Sequence, residues 1–470
     1  MSKKITYISL IIFILYGLSS KTAAQELQSA YFMKTSVFRQ QMNPALADQS
    51  YFGILFGNTN VGTRGNIGLG DFVYKLQDNP DYDLTTFMNP EISANEFLGK
   101  LHKKNKINVN LNYNVFSIGF HKFNGSNIIE ANVKSNTTLC LPYELFEFMK
   151  TTGEKENYSF KNLGAKSISY IEFSLGHSHK VGKNLKIGGK LKFLSGLAYS
   201  KLDVKRMNLT LTDDVWSIDG DAEFSAAILN STFKYDENTD AATTDASRGK
   251  KVNGIDNVSF GTPGFGVAVD MGFVYKMPTI EGLTFSGALT DLGTIVWSKT
   301  NKASSKGTWE FDGFDNEIYT TGTDNGDNKL GDQFSALGDD LKKVFSVYDD
   351  GQKSESSSLP TTLSLAAEYQ FSFYKKMSAG LLYTGRFYGL YSSYQTMLAL
   401  NYRPINCIEA SANVASTSTG TTVGGMFSFY TKGFNLFIGS DSFVLGKVSK
   451  EYIPLGNANA NVNFGISFPL

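Results

Sequence analysis

The chain has 470 residues, with 44 basic and 44 acidic side chains and therefore no formal net charge. That balance excludes a general nucleic-acid binder, which carries a surplus of basic residues. Forty-five glycines, 36 phenylalanines and 24 tyrosines against ten prolines are typical of many β-strands with aromatic belts.

The first 24 residues have the pattern of a secretory signal peptide. Lys3 and Lys4 precede an apolar run over residues 5–18, and the small residues at 22–24 offer a cleavage site. That run is too short for an anchoring helix, and no later apolar run approaches the length of a transmembrane helix. Removal of 1–24 leaves 41 basic against 44 acidic residues. We therefore expect an exported protein without membrane-spanning helices.

Segments in which apolar and polar residues alternate recur along the rest of the chain, and a period of two predicts β-strands. In 107–115 the polar positions are all asparagine, and the phase flips at Phe116, as a β-bulge would make it. Sixteen strands are predicted, at 52–60, 107–120, 127–139, 167–181, 185–195, 202–212, 215–226, 263–276, 282–298, 361–371, 376–387, 392–402, 406–415, 420–430, 433–441 and 457–470.

The last segment, 457–470, is a fourteen-residue alternation that ends the chain, and at about 3.3 Å per residue it can cross a bilayer. Together with a secretory signal it predicts an outer-membrane β-barrel. A barrel has no free edge in lipid, so we expect 52–60 to pair with this strand.

Connections between the predicted strands alternate between tight and long, as periplasmic turns and external loops do in bacterial barrels. With the C-terminus in the periplasm, the tight ones fall inside, at 124–126, 182–184, 213–214, 277–281, 372–375, 403–405 and 431–432. The long ones fall outside, at 61–105, 140–166, 227–262, 299–360 and 442–456.

The long loops contain two predicted helices, at 142–150 and at about 332–348. The second has an apolar face that is interpreted in two ways: it packs on the rim of the barrel, or it collects an apolar ligand. The residues of this candidate ligand surface are Phe334, Leu337, Leu341 and Phe345.

Candidates for other chemistry are weak. His177 and His179 share a strand face, but no third metal ligand stands at a suitable spacing. The run 324–328 lacks the distant glutamate of a calcium loop. Cys140 and Cys407 form either a disulfide or two isolated thiols. No catalytic constellation appears, so we expect neither an enzyme nor a cofactor.

A motif before the first strand resembles a known family. Asn43-Pro44-Ala45 matches the short box of the long-chain fatty-acid transporter superfamily of outer-membrane barrels, and the stretches 31–46, 189–196 and 359–361 are similar to an uncharacterised branch of it. The resemblance implies a fourteen-stranded barrel, with residues 25–50 as a plug inside the lumen and Asn43, Pro44 and Ala45 at its turn.

The sequence therefore predicts an all-β fold. It comprises a signal peptide (1–24), a plug (25–50) and a transmembrane antiparallel barrel of 14–16 strands (51–470) with short helices in long extracellular loops. We expect it in the outer membrane of a Gram-negative bacterium, in contact with its lipids. Two functions remain open: passive uptake of hydrophobic small molecules, or a scaffold that binds surface or secretion proteins through its loops.

Overall fold

A computed structural model describes residues 28–470 except 55–56, 75–84, 213–215, 230, 236–249, 258, 260, 311–346, 444–446, 449–453 and 456–459. Among these residues no helix is long and apolar enough to cross a membrane.

Fourteen antiparallel strands form a closed barrel. In order around the wall they are β1 (Tyr51–Ile54 and Thr59–Gly65), β2 (Lys104–Lys122), β3 (Gly125–Pro142), β4 (Gly164–Val181), β5 (Leu185–Leu211), β6 (Trp216–Ile228 and Gly264–Lys276), β7 (Leu283–Glu310), β8 (Tyr348–Ser358 and Thr361–Gln370), β9 (Met377–Phe387), β10 (Ser393–Ile405), β11 (Ile408–Thr417), β12 (Gly420–Tyr430), β13 (Asn435–Ser440) and β14 (Ala460–Pro469). Strand β1 pairs with β2 on one side and β14 on the other, which closes the barrel as the sequence predicts.

The count of sixteen strands was wrong by two. The strands predicted at 185–195 and 202–212 fall on the single strand β5 (Leu185–Leu211), and those predicted at 215–226 and 263–276 correspond to the two parts of the single strand β6 (Trp216–Ile228 and Gly264–Lys276). Bulges in β5 shift the alternation, and the chain leaves β6 after Ile228 and returns at Gly264. The alternation of apolar and polar residues alone makes each segment of β5 and β6 look like a separate strand.

This merger also corrects two loop assignments. The tight turn predicted inside at 213–214 lies outside the described residues, but the strand ends that flank it, Leu211 of β5 and Trp216 of β6, are at the same end of the barrel as the long loops. The loop predicted at 227–262 connects the two parts of β6, which end at Ile228 and resume at Gly264, and not two separate strands. The other tight turns share one end, called here the short-turn end, and the opposite end is called the long-loop end.

The outer surface of the barrel is apolar over the height of a bilayer. In β6, Phe265 is 66% exposed while the inward Ala268 is 2% exposed. Other strands around the barrel repeat this alternation, with exposed residues that include Phe173, Leu191, Phe193, Leu365, Leu381, Leu398, Val423, Phe427 and Ile438. An apolar exterior around a closed sheet is the surface of a membrane-spanning barrel.

Strands β5 and β7 have 27 and 28 residues, whereas about ten suffice to cross a bilayer. Their outer parts therefore continue beyond the membrane at the long-loop end. There they support three short helices, α1 (Leu69–Phe72), α2 (Ala94–Leu98) and α3 (Tyr143–Lys150), which pack with β5 around Phe87, Phe97, Phe148 and Phe160. Helix α3 confirms the prediction for 142–150, and the bulge predicted at Phe116 is also present.

Candidate functional site

Residues 28–50, called here the N-terminal segment, lie inside the barrel. The segment contains three short 3₁₀ turns, Gln28–Phe32, Val37–Gln41 and Pro44–Leu46, and most of its side chains are buried. Its apolar side packs on the inner faces of β8–β13, where small residues leave room for it. The ring of Phe32 sits so close to Gly380 that a Cβ there would lie 2.5 Å from it. The segment thus fills the lumen.

Three carboxylates of the wall hold the polar side of the segment. Asp441 accepts hydrogen bonds from the backbone amides of Gln28 and Ser29, both at 2.7 Å. Glu409 accepts from the backbone amides of Lys34, at 3.2 Å, and Thr35, at 2.8 Å. These amides lie in turns and have no helical partner, so the oxygens of Asp441 and Glu409 satisfy donors that need an acceptor.

Glu130 is the third carboxylate, and it binds side chains instead of backbone. It accepts from Nε2 of Gln40 at 2.6 Å and from Nε2 of Gln41 at 3.2 Å. Its other oxygen lies 2.9 Å from Nζ of Lys190. The second turn of the segment is therefore tied to an ion pair of the wall.

The box Asn43-Pro44-Ala45 lies against β5, β6 and β7. Asn43 is fully buried, and its Oδ1 accepts from the amide of Ala45 at 3.0 Å, so it caps the third turn. Its Nδ2 lies 3.2 Å from the carbonyl oxygen of Phe273 and 3.3 Å from that of Gly287. One side chain therefore both shapes the turn and binds it to the wall.

Glycines make this close approach feasible. A Cβ at Gly272 would lie 2.1 Å from Oδ1 of Asn43, and one at Gly188 would lie 2.6 Å from the amide nitrogen of Ala45. Nδ2 of Asn43 also lies 3.1 Å from the hydroxyl oxygen of Tyr31. Burial raises the pKa of the Tyr31 phenol, so the hydroxyl stays protonated.

Buried ion pairs line the inner face of strands β3–β7. Lys192 lies 2.8 Å from Asp270 and 2.6 Å from Asp291, and Lys134 lies 2.9 Å from Glu172. Each charge has a partner of opposite sign on another strand, which offsets the cost of burying it. These contacts tie strands β3–β7 together from within.

An apolar cluster lies between these ion pairs and the long-loop end. Its centre is Trp297, which is fully buried, stacks on Tyr199 and donates from Nε1 to Oγ of Ser357 at 2.8 Å. We call this the inner apolar cluster; its members are Ile168, Tyr170, Leu194, Tyr199, Ala227, Ala268, Ile295, Trp297 and Leu359.

The wall is irregular beside the inner apolar cluster. Strand β6 is interrupted between Ile228 and Gly264, and β8 is interrupted at Leu359-Pro360. Asp291 of β7, opposite the second interruption, has a φ of 56°. Between the two parts of β8 the ladder with β7 skips from Thr294 to Thr290. Single backbone hydrogen bonds bridge the interruptions, from the amides of Leu229, Ser298 and Leu359 to the carbonyl oxygens of Leu197, Pro263 and Gly293.

A polar chamber of about 80 Å³ remains in the lumen above the N-terminal segment. Asn110, Asn112, Tyr170, Asp291 and Arg386 are among the residues that line it. Typical small-molecule sites exceed about 300 Å³. This chamber is therefore too small for a typical small-molecule ligand while the segment is in place.

The structure brings some of the sequence candidates together and not others. Asn43, Pro44 and Ala45 meet the wall as described above. The candidate ligand surface of Phe334, Leu337, Leu341 and Phe345 lies outside the described residues, as does the run 324–328. The two cysteines are separate free thiols. Within the described ranges no three potential metal ligands cluster.

Sequence reasoning missed the carboxylates that hold the segment and the lysines of the wall. One signal was present: Lys190 and Lys192 alternate with Leu191 and Phe193, which places two charges on the inner face of a membrane strand. Charges at such positions are costly and mark functional or structural networks.

Fold and interior together define a membrane-spanning β-barrel whose lumen is filled by its own N-terminal segment. The chain belongs to a family of unknown function, DUF5723, whose model matches residues 44–441. No curated protein matches it.

Several solved structures are similar to the chain. The Ralstonia pickettii toluene transporter TbuX is 7% identical, with a TM-score of 0.42 and 97% of each chain covered. A Pseudomonas aeruginosa FadL homologue is 11% identical, with a TM-score of 0.35 and 93% of this chain and 92% of its own covered. The translocator domain of the autotransporter NalP from Neisseria meningitidis is 8% identical, with a TM-score of 0.35 and 96% and 100% covered.

Proposed function

We propose that this protein is an outer-membrane channel for the passive uptake of small hydrophobic molecules. Residues 1–24 are removed on export, the short-turn end faces the periplasm, and the N-terminal segment acts as a plug that blocks the flow of water. The long-loop end then faces the cell exterior, where bacterial barrels have their longer connections.

The observation that carries this proposal is the inner apolar cluster in a lumen that is otherwise polar. An apolar solute gains free energy by leaving water for such a cluster, at about 25 cal/mol per Å² of apolar surface. The neighbouring interruptions of β6 and β8 mark the part of the wall where we place a lateral opening. A solute held by the cluster can leave there for the membrane without crossing the plug.

Uptake of radiolabelled toluene by cells that carry matched variants tests the proposal. Leu194 belongs to the inner apolar cluster and Leu382 packs on the N-terminal segment, and both are buried in the lumen. We expect Leu194→Asn to reduce uptake several-fold, because it places a polar amide where the solute binds, and Leu382→Asn to leave uptake near that of the natural protein. Equal effects of the two variants, or uptake no faster than in cells without the barrel, contradict the proposal.

A second function is favoured by the part of the barrel beyond the membrane. The extended β5–β8 sheet and the packed helices α1–α3 form a folded outer region, which suits a scaffold that binds surface or secretion proteins. Native mass spectrometry of the purified protein separates the two functions. A bound apolar molecule supports the channel, and a co-purifying protein without any such molecule supports the scaffold.

A further inference from the structure

A cavity of about 510 Å³ opens at the short-turn end, between the N-terminal segment and strands β8–β11. Its size is within the range of small-molecule sites. It is separate from the inner apolar cluster and from the polar chamber, because the segment and its contacts with the wall lie between them.

Basic side chains dominate the lining of this cavity. Lys34, Lys375, Lys376 and Arg403 line it, against the single carboxylate of Glu409. That carboxylate is already bound by the two backbone amides of the segment. Among the cations, Lys375 has a partner in Glu281, at 3.3 Å on the exposed surface, where an ion pair contributes little. The lining therefore carries excess positive charge.

Two buried polar groups of the lining are not satisfied by the described protein. Asn401 is 3% exposed, and neither its Oδ1 nor its Nδ2 has a hydrogen-bond partner among the described residues. Nε of Arg403, two residues further along β10, is also buried and without such a partner. Leaving buried groups unpaired is costly, and because these two groups line a cavity, a ligand that enters it can complete them.

Apolar surface accompanies the polar groups. Phe32 of the N-terminal segment and Met377 of β9 both line the cavity. A ligand that fits must therefore combine a negative group, for the guanidinium and the ammonium groups, with a small apolar body.

We propose that this cavity is a binding site for small organic anions that carry a carboxylate or a phosphate group. Arg403 and Lys376 bind the negative group, Asn401 donates a hydrogen bond from Nδ2, and Phe32 contacts the apolar part. Because Phe32 and Lys34 belong to the N-terminal segment, the site is complete only while the segment is in the lumen. An occupied site consequently stabilises the plugged state by mass action.

Calorimetric titration of the full-length protein in a non-ionic detergent tests the site. Benzoate and phenyl phosphate are the anionic probes, and benzamide is the neutral probe of the same shape. We expect at least one anion to bind at least tenfold more tightly than benzamide. Binding of benzoate alone assigns the site to carboxylates, and binding of phenyl phosphate alone assigns it to phosphate esters. Equal binding of all three, or no binding of either anion, overturns the proposal.

Substitutions of lining residues show whether the anion binds in this cavity. We expect Arg403→Gln and Asn401→Leu to weaken binding of the anion at least tenfold each. Lys183→Gln is the matched control, because Lys183 is exposed in a turn at the same end and does not line the cavity. Since Asn401→Leu changes no charge and removes an unsatisfied amide, it keeps the test informative if Arg403→Gln does not fold. The same loss of affinity in Lys183→Gln, or undiminished binding in Asn401→Leu, shows that the anion binds elsewhere. Toluene uptake does not enter this test, so the site can fail while the channel stands.

Discussion

The two sides of the barrel wall are built differently. Strands β4–β8 are long, two of them are interrupted, and their lumen face carries buried ion pairs. Strands β9–β14 have six to thirteen residues, pair without insertions, and present mainly small or uncharged side chains to the lumen. The N-terminal segment packs its apolar side on β8–β13 and its asparagine box on β5–β7.

This difference shows how one closed sheet serves two purposes. The regular side, strands β9–β14, has an apolar exterior that suits the membrane and small inner residues that leave room for the N-terminal segment. The irregular side, strands β4–β8, differs from the regular side beside the inner apolar cluster, where β6 and β8 are interrupted. Ion pairs join the strands of this side from within the lumen. Substitutions on the two sides should therefore differ in their effects on stability and on the N-terminal segment.

The largest effect is expected from Lys192→Ala, on the irregular side. The change leaves Asp270 and Asp291 buried without their nearest cation, and breaking a buried pair in this way costs about 3–5 kcal/mol. Urea unfolding in lipid vesicles measures the loss. Lys183→Ala, in an exposed turn of the same side, is the control and should change stability little. A loss below about 1 kcal/mol for Lys192→Ala, against the few kcal/mol expected from breaking such a pair, would show that the ion pairs are not structural.

The next largest effect is expected on the lipid face of the regular side. Leu398 lies near the middle of β10 and is 54% exposed on the exterior of the barrel. Leu398→Lys places a charge at the level of the lipid tails, which costs about 2–4 kcal/mol near the midplane. Phe373→Lys, in the exposed turn between β8 and β9, should cost almost nothing in the same unfolding measurement. If both variants are equally stable, the apolar band does not face lipid.

A smaller effect on stability, with a clear effect on the lumen, is expected from Asn43→Ala. The variant removes the side-chain partner of the amide of Ala45 and of two carbonyl oxygens that lie in paired strands, at about 1–3 kcal/mol in total. The N-terminal segment should then be cleaved more readily by added protease, and conductance in planar bilayers should rise. Gln49→Ala, whose bond to Lys34 is exposed, should leave both unchanged. Unchanged protease protection in Asn43→Ala would mean that the asparagine box does not hold the segment.

Much of the fold follows from alternation in the sequence, because the two faces of a barrel strand meet different solvents. The closure of β14 on β1, the bulge at Phe116 and helix α3 are confirmed for this reason. The strand count failed at β5 and β6, where bulges shift the period and an insertion divides one strand. The alternation of apolar and polar residues does not show whether two segments are parts of one strand or two separate strands of the sheet.

The candidate site was predictable only where a resemblance supplied it. Asn43-Pro44-Ala45 was singled out as a motif, but its partners at Phe273 and Gly287 are backbone atoms more than 200 residues away. Lys192 and Asp291 are likewise 99 residues apart and meet only through the register of β5–β7. Such pairings depend on strand order and shear, which the local pattern does not contain.

The smallest effect is expected from Ser411→Ala, on the lumen face of the regular side. Ser411 is buried in β11, and its Oγ has no hydrogen-bond partner among the described residues. Because removal of an unpaired buried hydroxyl loses no hydrogen bond, the free energy of unfolding should change by less than about 0.5 kcal/mol or rise slightly. On the regular side, the size of a lumen side chain then affects stability, and its hydrogen bonds do not. Replacement by the larger leucine should, for that reason, displace the N-terminal segment and raise its cleavage by protease, while alanine should not. Loss of stability with alanine, by more than about 1 kcal/mol, would instead place a polar network on both sides of the barrel.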